Sequence, residues 1–291
     1  MGAERLLPDF LVIGAYKSGT TALHAALRRH PQVFVPERKG PSFFAFDGAP
    51  ATDRPLPPGT VRRLEDYERL FEGANEKLVA GEVSPEYLAN PWSCGRISER
   101  VPEAKLVAIL RNPVERAYSD FLMYVRDGLE HAGFGQALDE QVERRRAGSA
   151  TGYYVETGFY GHQLRPYFDA FPRDRIHVIL FEDFAADPKG ELGRLFAFLG
   201  VDPALARPSE RAVNVSGVPR NAAVGAVIRA GRRLAPVLPA AVRGPAKAVL
   251  ARGLDRPSLL PDERRRLVEA YREDVAELER LLGRSLARWL E

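Results

Sequence analysis

Residues 11–27, LVIGAYKSGTTALHAAL, constrain this chain more than any other stretch. An apolar run ends at Gly14, a tight loop follows through Thr21, and the residues after it have the spacing of an amphipathic helix. Glycine at positions 14 and 19 lets the backbone turn inward, so that successive N–H groups converge on an anion. The helix start adds a partial positive charge, and Ser18, Thr20 and Thr21 add hydroxyl donors. Lys17 supplies a full charge. The loop is built for a phosphate-like group, yet it is not the Walker A arrangement G-x-x-x-x-G-K-[ST]. Its lysine stands two residues before Gly19, and Thr20 occupies the Walker lysine's place. A plain glycine turn with a solvated lysine is the alternative, and the strand–loop–helix context speaks against it.

The rest of the chain repeats this alternation. Phe10–Gly14, Leu78–Gly81, Lys105–Leu110 and Arg175–Phe181 read as short buried strands, with Gln32–Val35 a fainter fifth. Helical spacing covers Thr20–Arg29, Pro113–Arg126, Phe134–Arg146, Phe159–Ala170, Lys189–Leu199 and about Asp262–Leu282. Strands alternating with helices predict an α/β fold of right-handed βαβ units around a mostly parallel sheet. Residues 47–60 are a Pro/Gly loop, and no repeat or linker divides the chain. The expectation is a single domain over 1–291.

Composition excludes several classes. The 291 residues carry 42 basic and 39 acidic side chains, a net charge of +3 that does not suggest a nucleic-acid binder. One cysteine, Cys94, excludes an internal disulfide framework, and five histidines without an HxxxH pair argue against a zincin. The N-terminal stretch is broken by Pro8 and Asp9 and reads as neither a secretory segment nor a span. These features point to a cytoplasmic protein, and the Arg-, Ala-, Gly- and Pro-rich usage to a GC-rich bacterium.

A second anion site is legible at KLVAILRNPVERAYSDF, residues 105–121. Arg111 ends a strand at the carboxyl edge where ligands of α/β sheets bind, and Asn112 and Pro113 suit a helix start. Ser119 stands two helical turns further on. An arginine fork and a hydroxyl suit a phosphate dianion, although Arg111 alone reads equally well as a surface ion-pair partner. Arg116 is open to a binding role as well, and reads first as an exposed structural arginine.

Together these segments resemble the sulfotransferases that use PAPS, 3′-phosphoadenosine 5′-phosphosulfate, in the style of the bacterial and heparan-sulfate enzymes. LVIGAYKSGTT is similar to the family's 5′-phosphosulfate loop, and RNPVERAYS to its 3′-phosphate motif, R-[ND]-P-x-x-R-A-x-S. GEVSPEYL (81–88), the region 158–201 and NVSGVPR (214–220) continue the likeness, which covers about 8–222. Residues 223–291 form a helical, basic, variable C-terminal part without resemblance. The likeness implies a P-loop NTPase-like three-layer fold with about five strands and a helical C-terminal region. It implies sulfuryl transfer from PAPS to a hydroxyl or amine of a small-molecule, lipid or glycan acceptor, with PAP as product and no metal required. Lys17 would stabilise the leaving 5′-phosphate. Lys17, Ser18, Gly19, Thr20, Thr21, Arg111, Ser119, Gly217 and Arg220 would hold the nucleotide. A role in secondary metabolism is consistent with a bacterial origin.

One departure stands out. The family carries K-E-P-x-[FY]-F where this chain reads Lys39-Gly40-Pro41-Ser42-Phe43-Phe44, so the usual base is replaced by Gly40. Glu37, Glu82 and His131 are the substitute candidates, each with a plain reading as loop acid, structural hydrogen-bonder or surface histidine. Alternatively, the acceptor is acidic enough to need little help, or catalysis has been lost. Phe43, Phe44, Phe46, Tyr124, Tyr153 and Tyr154 lie in segments that border the acceptor pocket in relatives, and core packing accounts for them equally well. The rival readings are a P-loop nucleotide kinase and a nucleotide-binding homologue with weak or lost turnover.

The near-neutral total hides one basic stretch. Between 222 and 257, Arg229, Arg232, Arg233, Arg243, Lys247, Arg252 and Arg256 face one acid, Asp255, with apolar residues between. A lid over the acceptor, a patch for an acidic substrate or peripheral membrane contact, and a packed helical flank are the open readings.

Overall fold

The computed structural model describes residues 7–47, 56, 59–74, 77–147, 152–207, 217–220, 224, 226, 253–255 and 257–291. The chain divides into two compact units: Met1–Pro113 with Phe159–Val213 and Tyr271–Glu291, and Val114–Gly158 with Asn214–Ala270.

The first unit holds a five-stranded parallel sheet. Its strands are β1 (Phe10–Gly14), β2 (Val33–Phe34), β3 (Val79–Val83), β4 (Lys105–Leu110) and β5 (Ile176–Leu180), ordered β2-β3-β1-β4-β5. β1 lies at the centre, pairing with β3 and β4. Every β1 residue is buried, as expected for a central strand covered on both faces. Helix α1 (Thr20–Arg29) contributes Leu23 and Leu27 to the same buried core cluster as Val12, Val107 and Ile109. Short helices α2 (Phe43–Phe46) and α3 (Leu64–Glu68) follow β2, and α4 (Ser93–Arg100) follows β3. Helix α7 (Tyr160–Ala170) precedes β5, then come α8 (Phe181–Ala186) and α9 (Pro188–Leu199). The last is closed at both ends by local chemistry. Asp187 accepts a hydrogen bond from the Gly190 N–H, Pro188 takes the first turn, and Gly200 at φ +85° ends the helix.

Strand β3 runs two residues beyond its expected end at Gly81 and omits Leu78, which is exposed. A glutamate inside a strand reads as a boundary in sequence. Here Glu82 is buried and fully hydrogen-bonded, so the strand continues through it.

The second unit contains most of α5 (Pro113–Asp127), α6 (Phe134–Arg146) and the first turns of α10 (Pro261–Leu282), whose remainder belongs to the first unit. It also contains the antiparallel pair β6 (Val218–Pro219) and β7 (Leu254–Asp255). The seven basic residues of the 222–257 stretch lie outside the described residues, as does most of the 47–60 loop.

Candidate active site

In the first unit the loop after β1 sits at the carboxyl end of the central strand. Ala15 N–H donates to the Ile109 carbonyl at 2.7 Å, tying the loop to β4. Lys17 (φ +64°) and Gly19 (φ +100°) both take left-handed conformations, which turn the chain into α1. No side chain caps α1; the Ala22 N–H donates to the Gly19 carbonyl at 2.9 Å, which leaves the Thr20 and Thr21 N–H groups for an acceptor from outside the helix. Thr20 is buried and Thr21 half-buried. Ser18 is fully buried, with Oγ 3.5 Å from the Tyr160 hydroxyl. Two glycines here answer to crowding. A Cβ on Gly14 would come within 2.5 Å of Leu88 Cβ, and one on Gly19 within 2.9 Å of Phe181 Cδ2.

Phe181 also meets the second anion element. The Arg111 guanidinium lies 5.2 Å from the centre of its ring. Next to Arg111, the Asn112 N–H donates to Glu182 Oε1 at 2.9 Å and its side-chain amide to the Trp289 carbonyl at 3.4 Å. The structure thus sets the Lys17–Thr21 loop and Arg111 about one aromatic side chain.

The acids of this unit differ sharply in environment. Glu82 is 1% exposed and accepts from Tyr87 (2.5 Å), Ser84 (2.7 Å) and Tyr67 (3.3 Å). Desolvation pushes its pKa up to about 7, against the pull of the three hydroxyl donors. Glu37 is exposed. Two residues that sequence reasoning did not select lie beside the loop. Lys39 Nζ donates to Thr21 Oγ1 at 3.5 Å, and burial holds its pKa below the usual lysine value, partly offset by the charge of Glu86. Glu86, half-buried, accepts from Ser42 Oγ at 3.0 Å. The only sequence signal for either was position: Lys39 precedes the departing Gly40, and Glu86 occupies an unspecified place in the GEVSPEYL segment.

Phe43 and Phe44 are fully buried and pack against Tyr67 and Tyr87, while Phe46 is half-buried. Core packing accounts for the first two.

The second unit holds Ser119, 1% exposed on α5. Arg116, expected at the surface, is instead fully buried, donating to the Tyr154 carbonyl and to Asp120. The motif that places it on α5 gives no sign of the carbonyl and the carboxylate that accept its guanidinium. Tyr154 packs edge-on against Phe121, Tyr124 and Phe134 and donates to Glu130, so it too is a core residue. Tyr124 and Tyr153 are half-buried, and His131 is exposed. Gly217 is buried where a Cβ would come within 2.8 Å of the Asp255 carbonyl, and Arg220 pairs with Asp255 at 2.8 Å on the surface.

A sequence model described as the sulfotransferase family matches residues 57–204. The chain belongs to the sulfotransferase family. A sulfotransferase from Alicyclobacillus acidocaldarius of known structure is 30% identical, with a TM-score of 0.74 over 98% of this chain and 99% of the other. Mouse heparan sulfate glucosamine 3-O-sulfotransferase 3A1 is 30% identical over 200 residues, 68% of this chain and 47% of the relative. The chain spans about half the length of the curated relatives it matches. Mouse sulfotransferase SULT7A1, complexed with PAP, shares the fold at 17% identity, with a TM-score of 0.52 over 97% of this chain and 93% of the other.

As a sulfotransferase the chain has the expected α/β fold with its five-stranded parallel sheet. Among the described residues no cluster of three or more His, Cys, Asp or Glu could hold a metal ion, and no helix is long and apolar enough to cross a membrane. Cys94 is buried, and desolvation pushes its thiol up to about 11.

Proposed function

We propose that this sulfotransferase moves the sulfuryl group of PAPS to a hydroxyl or amine of a small-molecule, lipid or glycan acceptor, as one functional domain, and releases PAP. The observation that carries the reading is the start of α1 without a side-chain cap, with Lys17 before it and both Gly19 and Arg111 against the Phe181 ring. Sulfuryl transfer parallels phosphoryl transfer, an in-line displacement in which the protein positions groups and stabilises charge. Lys17 and the α1 amides bind the 5′-phosphosulfate and stabilise the negative charge that grows on its bridging oxygen. Arg111 binds the 3′-phosphate, and Ser119, Gly217 and Arg220 are further nucleotide-binding residues that the family resemblance implies. Lysine and backbone dipoles carry this charge without a divalent metal.

Isothermal titration with PAP in the absence of magnesium tests the reading directly. Tight binding supports it; binding of ATP only with magnesium sinks it in favour of a kinase. Lys17→Ala lowers kcat by about 100- to 1,000-fold, as loss of a preorganised charge does, whereas Arg111→Ala mainly weakens PAP binding. A second reading, nucleotide binding without turnover, draws on Gly40. It predicts PAP binding with no transfer to any of a panel of phenols, alcohols and sugars.

A further inference from the structure

If the chain transfers sulfuryl groups as proposed above, reaction at a hydroxyl sets free a proton, and a nearby base must take it. Glu82 is poorly suited to the task. Its Oε1 already accepts from Tyr67 and Tyr87 and its Oε2 from Ser84, deep inside the protein. Glu37 faces solvent. The exposed His131 belongs to the second unit.

Glu86 differs from all three. It is half-buried, and one oxygen, Oε2, is fixed by Ser42 Oγ at 3.0 Å. Its Oε1 makes no hydrogen bond to a described residue. The Ser42 that holds it is itself set by the backbone. Ser42 takes φ +51°, and its N–H donates to Ser84 Oγ at 2.9 Å. A left-handed conformation at a non-glycine residue costs energy, and here the hydroxyl lies nearer the carboxylate (3.0 Å) than the Gly40 carbonyl (3.3 Å), its other acceptor within reach. Glu86 is also tied to the loop, because its charge acts on Lys39, whose ammonium donates to Thr21. Beside them Gly40 leaves room: a Cβ there would meet only Ser42 Oγ, at 4.0 Å.

We propose that Glu86 is the general base of this enzyme, with Ser42 as its positioning residue and the space at Gly40 admitting the acceptor. The acceptor oxygen attacks the sulfur of PAPS and forms the new O–S bond. The bond from sulfur to the bridging oxygen breaks, and its electron pair stays on the 5′-phosphate of PAP. The hydroxyl proton passes to Glu86 Oε1 and from there to solvent.

The test uses the full chain, PAPS, and two acceptors, phenol and the more acidic p-nitrophenol. Glu86→Gln is expected to keep PAP affinity within about twofold and to lower kcat with phenol by about 100- to 10,000-fold, the usual range for a lost general base. The loss with p-nitrophenol is expected to be far smaller, since an acidic acceptor needs less help. Glu86→Asp is expected to recover part of the phenol rate. A Glu86→Gln loss under about tenfold with phenol, or an equal loss with both acceptors at unchanged PAP affinity, overturns the proposal. Loss of PAP binding by Glu86→Gln overturns it too, by making the residue structural. A wild-type chain that does not bind PAP overturns the sulfotransferase reading itself, and this proposal with it.

Discussion

The Arg111 guanidinium rests over the Phe181 ring, 5.2 Å from its centre, and the same ring fills the space where Gly19 would carry a Cβ. One side chain from the start of α8 therefore contacts both the loop after β1 and the arginine after β4. Phe181→Leu keeps apolar volume but removes the aromatic face under Arg111. A cation–π contact at a partly exposed site contributes about 0.5–1 kcal/mol, so PAP binding should weaken by roughly two- to fivefold. Gly19→Ala should weaken it more. The added methyl collides with Phe181, and φ +100° is a conformation that alanine tolerates poorly. Titration calorimetry with PAP ranks the two; a Phe181→Leu affinity equal to wild type would remove the shared platform.

Glu82 makes stability depend on pH in an uncommon direction for a carboxylate. Its folded pKa, about 7, lies above the ordinary value of 4.5. Between these values the folded chain holds a proton that the unfolded chain releases. The stabilisation is complete below the unfolded pKa and is lost as pH rises through the folded one, by roughly 3 kcal/mol. Urea midpoints should fall between about pH 5 and about pH 8. Glu82→Gln, which has no such proton to lose, should flatten that fall. An equally steep fall in the variant would assign it to other groups.

The same residue shows what the sequence does and does not disclose. Periodicity located the strands because a buried parallel strand must be apolar on both faces, and β1 and β4 begin and end where the runs do. It misjudged β3, because the side chains that make Glu82 tolerable come from Tyr67, Ser84 and Tyr87, and only the fold assembles them. The loop through Lys17 and Gly19, and Arg111 at the end of β4, were legible as positions in the fold because local spacing determines a loop at the end of a strand. Glu86 was not. What distinguishes it from neighbouring acids is a hydroxyl 44 residues away in sequence and a lysine beyond it. Arg116 was legible as structural but not as buried, since its partners, the Tyr154 carbonyl and Asp120, are set by tertiary packing.

Asp274 links the C-terminal helix to the loop through α7. Its two carboxylate oxygens accept the N–H groups of Gly161 (2.9 Å) and His162 (2.8 Å) in the first turn of α7, beside Tyr160, whose hydroxyl approaches Ser18. The site is tight: a Cβ on Gly161 would come within 2.6 Å of the Asp274 carbonyl. Asp274→Ala leaves the buried Gly161 N–H and the part-buried His162 N–H without their acceptor and should cost about 1–3 kcal/mol. For a chain of this size that is a fall in Tm of roughly 2–10 °C. PAP affinity should fall with it as Tyr160 loosens. Asp274→Asn, which keeps one acceptor, should lie between alanine and wild type in both measurements.

Arg116 carries the last prediction. Its guanidinium is fully buried between Asp120, one helical turn along α5, and the Tyr154 carbonyl, while Asp120 itself is 3% exposed. Removing the arginine takes the cationic partner from a buried carboxylate, so Arg116→Met should cost about 3–5 kcal/mol although it keeps the aliphatic volume. If the lost charge pairing is the cause, Asp120→Asn should relieve it. The double variant should then be more stable than Arg116→Met alone, with a coupling of about 1–3 kcal/mol in a thermal or urea unfolding cycle. Additive losses would instead mean that the guanidinium acts through the Tyr154 carbonyl and packing.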